Sequence, residues 1–403
     1  MDRRRFLEFG SLASLGALTG CAATRKTPTP TLEGGFQVLT VEGTPYERGA
    51  AHGEALRESI HAAVEGWKGA LTKPEGMGPG QYLNEFAGAT DFASAIARHT
   101  PDLFHEIQGL AAGSGVPVDT IYALQMVDEE WCYATRQQFG ESGGVGGGVG
   151  DKCSVLARAG DGLHPTYVAQ NLDGPGWLAG RLALVRHVER KKELDVLVLT
   201  FPGGLALNGM NARGVAVCVN ALLTLRSAAK GLPVACVIRG ALRRPSAVEA
   251  ARFVQGVPHA SGQCYTIGDP SRVVCLEASA GKVERVGDAR GLAHTNHPLA
   301  NDDHGALGRW VAEQPAGTVV GMLNSEARLL ACERRLAEGG DPLTNLRAAL
   351  GSHDDPAYPV CRHRAPEQTF SAACTIFELS ERAPRLHLAA DPPCTAEFRT
   401  HAL

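Results

Sequence analysis

The eight residues from Gly143 to Gly150 include only two that are not glycine, and the chain changes character across them. Upstream the pattern is helical; downstream, starting at Cys153, it breaks into short apolar segments suited to strands. The run is followed by no Gly-Lys-Ser/Thr and fits no G-x-G-x-x-G spacing, so it is not a phosphate loop. Most such runs are flexible linkers. Residues 153–159 (CSVLARA) and 166–173 (TYVAQNLD) flank Gly160-Asp161-Gly162, which predicts a hairpin. Cys153 therefore stands where a flexible loop meets a rigid strand. A cut before it would place a thiol and a free α-amine on one residue, and that amine, with a pKa of about 7.7–8.0, would serve as the thiol's base. The plainer reading is a small buried apolar residue. Motifs further along the chain decide between the two.

The first 26 residues carry Arg3, Arg4 and Arg5, an apolar stretch from Phe6 to Leu18, and then Leu18-Thr19-Gly20-Cys21. The layout predicts a secretory signal too short to span a membrane, of twin-arginine type, with Cys21 in a lipobox where it would be acylated. The domain plan is then a signal over 1–21, a linker over 22–40 with a stiff Thr/Pro spacer, a mostly helical segment over 41–152, and a strand-rich segment over 153–403. This places the protein outside the cytoplasm, anchored at a bacterial envelope through Cys21. A net charge of −4, with no basic stripe, argues against nucleic acid. Eleven cysteines in an exported protein suggest disulfides. There is no C-x-x-C pair and no Cys/His spacing of zinc-finger type, so no structural metal is expected.

Taken in order, the pattern predicts a helix over 44–71, opened by a Thr44/Glu47 capping box with Pro45 at its first turn. Another covers 92–112, broken at Pro101, and a short one covers 118–127. His52 reads as a structural histidine. Strands follow over 195–201, 205–211 and 214–222; helices over 234–243 and 246–255; strands over 263–269, 272–279 and 281–287, and on to His294-Thr295-Asn296-His297-Pro298. Helices over 325–336 and 344–350 precede strands over 369–379 and 384–391. Helices, then paired strands, then helices, then strands describe an α+β layering of antiparallel sheets covered by helices.

Five motifs occur in a telling order: Gly43 to Gly49 with His52-Gly53; Asp151-Lys152-Cys153 with Gln170-Asn171-Leu172-Asp173; Gly209 to Gly214 leading to Asn220; His294-Thr295-Asn296-His297; and Val360-Cys361-Arg362-His363. In that order the chain resembles the penicillin acyltransferase family of self-processing cysteine hydrolases, and more distantly the bile salt hydrolases and penicillin V acylases. The resemblance covers roughly Gly43 to Pro393. It implies an N-terminal nucleophile hydrolase with a four-layer αββα sandwich, cut between Lys152 and Cys153 into an α/β heterodimer. It implies Cys153 as nucleophile, Asp173 as the carboxylate that orients the new amine, Asn296 and Asn220 as oxyanion donors, and Arg362 as the buried arginine of the site. Lys152 stands where relatives commonly carry glycine, and a side chain there makes left-handed backbone costlier.

The function so implied is an amide hydrolase or acyltransferase acting on a small amide or thioester through an acyl-cysteine. No cofactor or metal is implied, though acyl-coenzyme A is open as a co-substrate. A silent exported lipoprotein that only binds an acyl ligand is the alternative, and it would fit a chain lacking Cys153, Asp173 or Asn296. A papain-like thiol protease would place its cysteine at the opening of a helix, not of a strand.

Overall fold

The structure is a computed structural model and describes residues 27–139, 153–189, 194–287, 291–364 and 369–403. The expectations placed on Arg3–Arg5, Cys21, the glycine run and Lys152 fall outside these residues.

Folding begins earlier than the sequence suggested. Strands β1 (Thr31–Glu33) and β2 (Phe36–Glu42) occupy part of the segment read as a linker to residue 40. Phe36, Leu39 and Val41 are buried, and it is this apolar set that draws β2 into a sheet. Next come α1 (Pro45–Ala55), α2 (Arg57–Ala70), α3 (Pro79–Ala89), α4 (Ala93–His99), α5 (Pro101–Ser114), α6 (Val118–Leu124) and α7 (Val127–Phe139). Thr44 and Glu47 form the capping box expected at the start of α1. The single helix read over 44–71 is two, interrupted at Leu56. Pro101 opens α5 rather than merely ending α4, because its missing N–H costs nothing in a first turn.

Beyond Cys153 the chain runs through β3 (Ser154–Arg158), β4 (Thr166–Gly174), β5 (Ala183–Val188), β6 (Val196–Thr200), β7 (Asn208–Asn211) and β8 (Ala216–Ala221). Helices α8 (Val234–Ala241) and α9 (Ala247–Gly256) lead to β9 (Gln263–Asp269), β10 (Arg272–Ala278), β11 (Val283–Arg285) and β12 (Gly291–His294). Then come α10 (Ala306–Glu313), α11 (Val320–Leu336), α12 (Pro342–Leu350), β13 (Phe370–Leu379), β14 (Arg385–Ala390) and β15 (Arg399–Ala402).

These strands form two sheets, ordered β1-β2-β5-β6-β7-β8-β9-β10-β11 and β12-β3-β4-β13-β14-β15. Their pairings are antiparallel except β2 with β5, which is parallel. The sheets stack with β3 and β4 lying across β8 and β9. Gly268 on β9 allows the closest approach, since a Cβ there would stand 2.5 Å from Val168 Cγ2 on β4. A buried polar bridge crosses the same interface. Gln170 donates to Val219 O at 2.6 Å, and Asn208 Nδ2 donates to Gln170 Oε1 at 2.9 Å and to Thr375 Oγ1 at 3.0 Å. Helices α1, α8 and α9 cover the outside of the larger sheet, and α11 and α12 that of the smaller one, over a core that includes Leu156, Leu329, Leu346 and Ile376. The architecture is a four-layer αββα sandwich of α+β class.

Two helices of the first layer meet unusually closely. On α1, Gly49 and Gly53 face Gly109 and Gly113 of α5, and a Cβ on any of the four would collide with backbone of the opposite helix. Beneath this crossing sits Glu106, held by Arg239 at 2.7 and 2.9 Å and near Arg48 at 3.7 Å. Burial would raise its pKa, but the Arg239 guanidinium, with Arg48 adding to it, overcomes that and holds it far below the usual carboxylate range. His52 is fully buried and accepts from Gly203 N at 3.3 Å; burial brings its pKa down to about 4, so it is a neutral structural histidine as read from the sequence.

Candidate active site

Cys153 is buried immediately ahead of β3, at the middle of the sandwich. Its carbonyl oxygen accepts two hydrogen bonds, from Arg328 Nη1 at 2.7 Å and Asn220 Nδ2 at 3.1 Å. Its Sγ lies 3.9 Å from Asp173 O. Strand β4 carries Asp173 beside it, and the pairing of β4 with β13 shifts register between Ser371 and Ala373. The shift seats Ser371 opposite Asp173, and Ser371 Oγ donates to Asp173 Oδ1 at 2.6 Å. A carboxylate with one oxygen fixed by a hydroxyl keeps a set direction.

Asn220 is on β8 and fully buried; its amide nitrogen reaches Cys153 O and His294 O (3.4 Å). Asn296 follows β12. Its backbone N–H donates to Ser325 Oγ at 2.8 Å, its Nδ2 donates to Ala221 O at 3.1 Å, and its Oδ1 accepts from Arg328 Nη2 at 2.9 Å. With Oδ1 claimed by a guanidinium, the two ends of the Asn296 amide cannot exchange places. The loop bearing Asn296 is anchored by a buried pair, His294 Nε2 to Glu277 Oε1 at 2.8 Å. Glu277 also accepts from the backbone N–H groups of Leu299, Ala300 and Asn301 at 2.6–2.9 Å. Burial disfavours the charge on His294, but the Glu277 hydrogen bond outweighs it and its pKa is raised; that of Glu277 is lowered for the reciprocal reason, against its own burial.

The structure thus brings Cys153, Asp173, Asn220 and Asn296 together. Arg362 lies half-buried on the loop before β13, with its backbone N–H donating to Ser371 Oγ at 3.0 Å and its carbonyl accepting from Ser371 N at 3.0 Å. It therefore borders Asp173 through Ser371. The arginine whose guanidinium reaches Cys153 and Asn296 is Arg328 on α11, which the sequence reading passed over. It is fully buried, with Nε bonded to Asn324 Oδ1 at 2.9 Å and Nη1 also to Ser154 Oγ at 2.9 Å. Burial lowers its pKa, and the Asp173 charge works the other way. A signal was present: Asn324, Arg328 and Cys332 recur every four residues on the buried stripe of α11, and an arginine in an apolar stripe is rarely without a buried partner.

Beside Cys153 opens an apolar pocket whose walls include Trp131, Trp177, Leu178, Phe201 and Ile238. Asp128 lines it too, and accepts from Gln263 Nε2 at 2.7 Å. Burial raises the pKa of both Asp128 and its neighbour Glu129, the charge of Asp128 adding to the effect at Glu129. The pocket thus has apolar walls, the carboxyl groups of Asp128 and Asp173, and the Cys153 thiol.

Residues 158–391 match the family described as acyl-coenzyme A:6-aminopenicillanic acid acyl-transferase. The chain is 26% identical over 354 residues to the acyl-coenzyme A:6-aminopenicillanic-acid-acyltransferase 40 kDa form of Emericella nidulans, spanning 85% of this chain and 88% of that one. Among solved structures it is similar to a mutant of conjugated bile acid hydrolase from Clostridium perfringens (12% identity, 62% of this chain and 96% of that one, TM-score 0.39). It is also similar to penicillin V acylase from Agrobacterium tumefaciens (14% identity, 60% and 84%, TM-score 0.37).

Proposed function

Because the chain belongs to the acyl-coenzyme A:6-aminopenicillanic acid acyl-transferase family, we propose that it cuts itself before Cys153 and then transfers an acyl group through a thioester on that residue. The observation that carries the reading is the grip of Asn220 and Arg328 on the Cys153 carbonyl, at the floor of an apolar pocket. Any buried carbonyl needs a partner, but two donors from separate elements also fix the direction of the residue, which a thiol that must meet a carbonyl at a set distance and angle requires.

In the first step the Cys153 thiol adds to the carbonyl of Lys152, the peptide nitrogen leaves as the Cys153 amine, and water hydrolyses the resulting thioester to free the Lys152 carboxylate. In each later turnover the amine takes the thiol proton, and the thiolate attacks the acyl carbonyl of the substrate. The leaving amine, or leaving thiol of a thioester, departs with a proton. Water or an acceptor amine then resolves the acyl-Cys153. Asp173, steadied by Ser371, orients the ammonium. Asn296, its amide turned by Arg328, offers an N–H to the oxyanion, worth roughly a hundred- to a thousandfold in rate. Asn220 and Arg328 act as positioning residues. The pocket walls select an apolar acyl group, and acyl-coenzyme A is one donor of that class.

Intact-mass analysis of the purified protein is the test. Two fragments are expected, the larger beginning Cys-Ser-Val-Leu, and Cys153→Ala should run as one folded chain without turnover. A wild type that stays a single chain yet hydrolyses amides would remove the free amine from the mechanism.

A further inference from the structure

Four thiol and imidazole groups converge at the far side of the loop that bears Arg362. His353, Cys361, His363 and Cys394 each present one ligand atom, and the four atoms all lie within 4.8 Å of one another. His363 Nε2 is 3.2 Å from His353 Nε2 and 3.3 Å from Cys394 Sγ, and the two imidazole rings stack at 5.2 Å. From these residues we propose that the protein holds a structural zinc ion, coordinated by two thiolates and two imidazoles.

The two closest separations suit that ion, and the remaining ones, within 4.8 Å, need the ligands to draw in slightly around it. Zinc binds imidazole nitrogen at about 2.0–2.1 Å and thiolate at about 2.3 Å, so a tetrahedron of two each has edges of about 3.3–3.8 Å. Both measured separations fall at or just below its shortest edge. The donor set, two sulfur and two nitrogen, is the one that selects zinc over harder metals. Charge balances as well: two thiols lose their protons on binding, and two thiolates neutralise the ion, so the site needs no further counter-charge.

The spacing hid this site. His353, Cys361 and His363 fall on the connection between α12 and β13, and Cys394 comes from the turn after β14, thirty-one residues beyond His363. The backbone already holds these segments in place. Cys361 N donates to Ser352 O at 3.0 Å, Asp391 N donates to Ala372 O at 3.0 Å, and Arg364 pairs with Asp391. A zinc ion would clamp the loop on both sides of Arg362, whose backbone holds Ser371 against Asp173. The ion's task is thus to fix a loop that borders the active site, without touching substrate.

The experiment is metal analysis of the full-length protein, reduced, dialysed against zinc sulfate and then freed of excess metal by gel filtration. One zinc per chain is expected, and cobalt in its place should give the intense visible absorption of a tetrahedral thiolate site. The double variant Cys394→Ser/His363→Ala should keep less than a tenth of the metal. Cys153→Ala serves as control and should keep all of it, so this result does not depend on the catalytic reading. Circular dichroism before and after chelation shows whether the protein stays folded through the assay. Wild type without zinc, or a double variant that retains it, overturns the proposal. So does a Cys361–Cys394 disulfide that re-forms in the presence of zinc.

Discussion

At the scale of single residues, Arg328 is the group on which the site turns, because one guanidinium addresses Cys153, Ser154, Asn296 and Asn324 at once. Replacing it with Met keeps the bulk and removes every donor. Arg328→Met should lower kcat by about a hundredfold or more, in line with loss of one well-placed donor, while Arg328→Lys, keeping the charge, should recover part of it. A kcat for Arg328→Met equal to that of the wild type would mean that the arginine only fills space. His294 and Glu277 set a pH dependence. The folded pKa of His294 is raised above 6.5, so the folded state keeps a proton that the unfolded chain releases. This stabilisation is complete below pH 6.5 and is lost as pH rises through the folded pKa, each tenfold gain in proton affinity being worth about 1.4 kcal/mol. Urea midpoints should fall as pH rises above 6.5, and His294→Gln should flatten that slope; an unchanged slope would remove His294 as its cause. Cys153, Asp173, Asn220 and Asn296 were legible in the sequence because each sits in a short ordered motif. Arg328 was not, since helix periodicity ranks positions by polarity and an arginine counts as solvated until its partners are known.

At the scale of elements, the contact between α1 and α5 has the least tolerance for change. The helices meet glycine against glycine, so their backbones rather than their side chains set the separation. Gly109→Ala would push a methyl group into the Tyr46 carbonyl and should cost about 1–3 kcal/mol. Thermal melting would register this as a lower Tm, whereas Gly69→Ala, where the added carbon meets nothing, should melt at or above the wild-type temperature. Equal melting of the two variants would disprove the tight crossing. The glycines of α1 were visible in the sequence, but their partners on α5 lie some sixty residues away, and helix periodicity cannot match one helix to another. Strand β2 escaped notice for a different reason. A Thr/Pro stretch precedes it, and its apolar residues at 36, 38, 39 and 41 alternate only in part.

At the scale of the whole molecule, the proposed cut divides the chain but not the fold. Strand β2 lies upstream of Cys153 and pairs with β5, which lies downstream, so one sheet takes strands from both fragments. Pocket walls are shared as well, with Trp131 from the first fragment facing Trp177 and Phe201 from the second. The two fragments should elute together from a sizing column at any dilution and part only in denaturant. Fragments that separate without denaturant would show that the seam is weaker than a shared sheet allows. This seam also gives the mature protein a memory of its heat history. The precursor assembles β2 onto β5 as one molecule, at a rate that does not depend on how much protein is present. Once cut and unfolded, the same pairing needs a collision between two molecules, so recovery slows with dilution and competes with aggregation of each half. Such a protein folds reliably once, and its working lifetime is set by how slowly it comes apart.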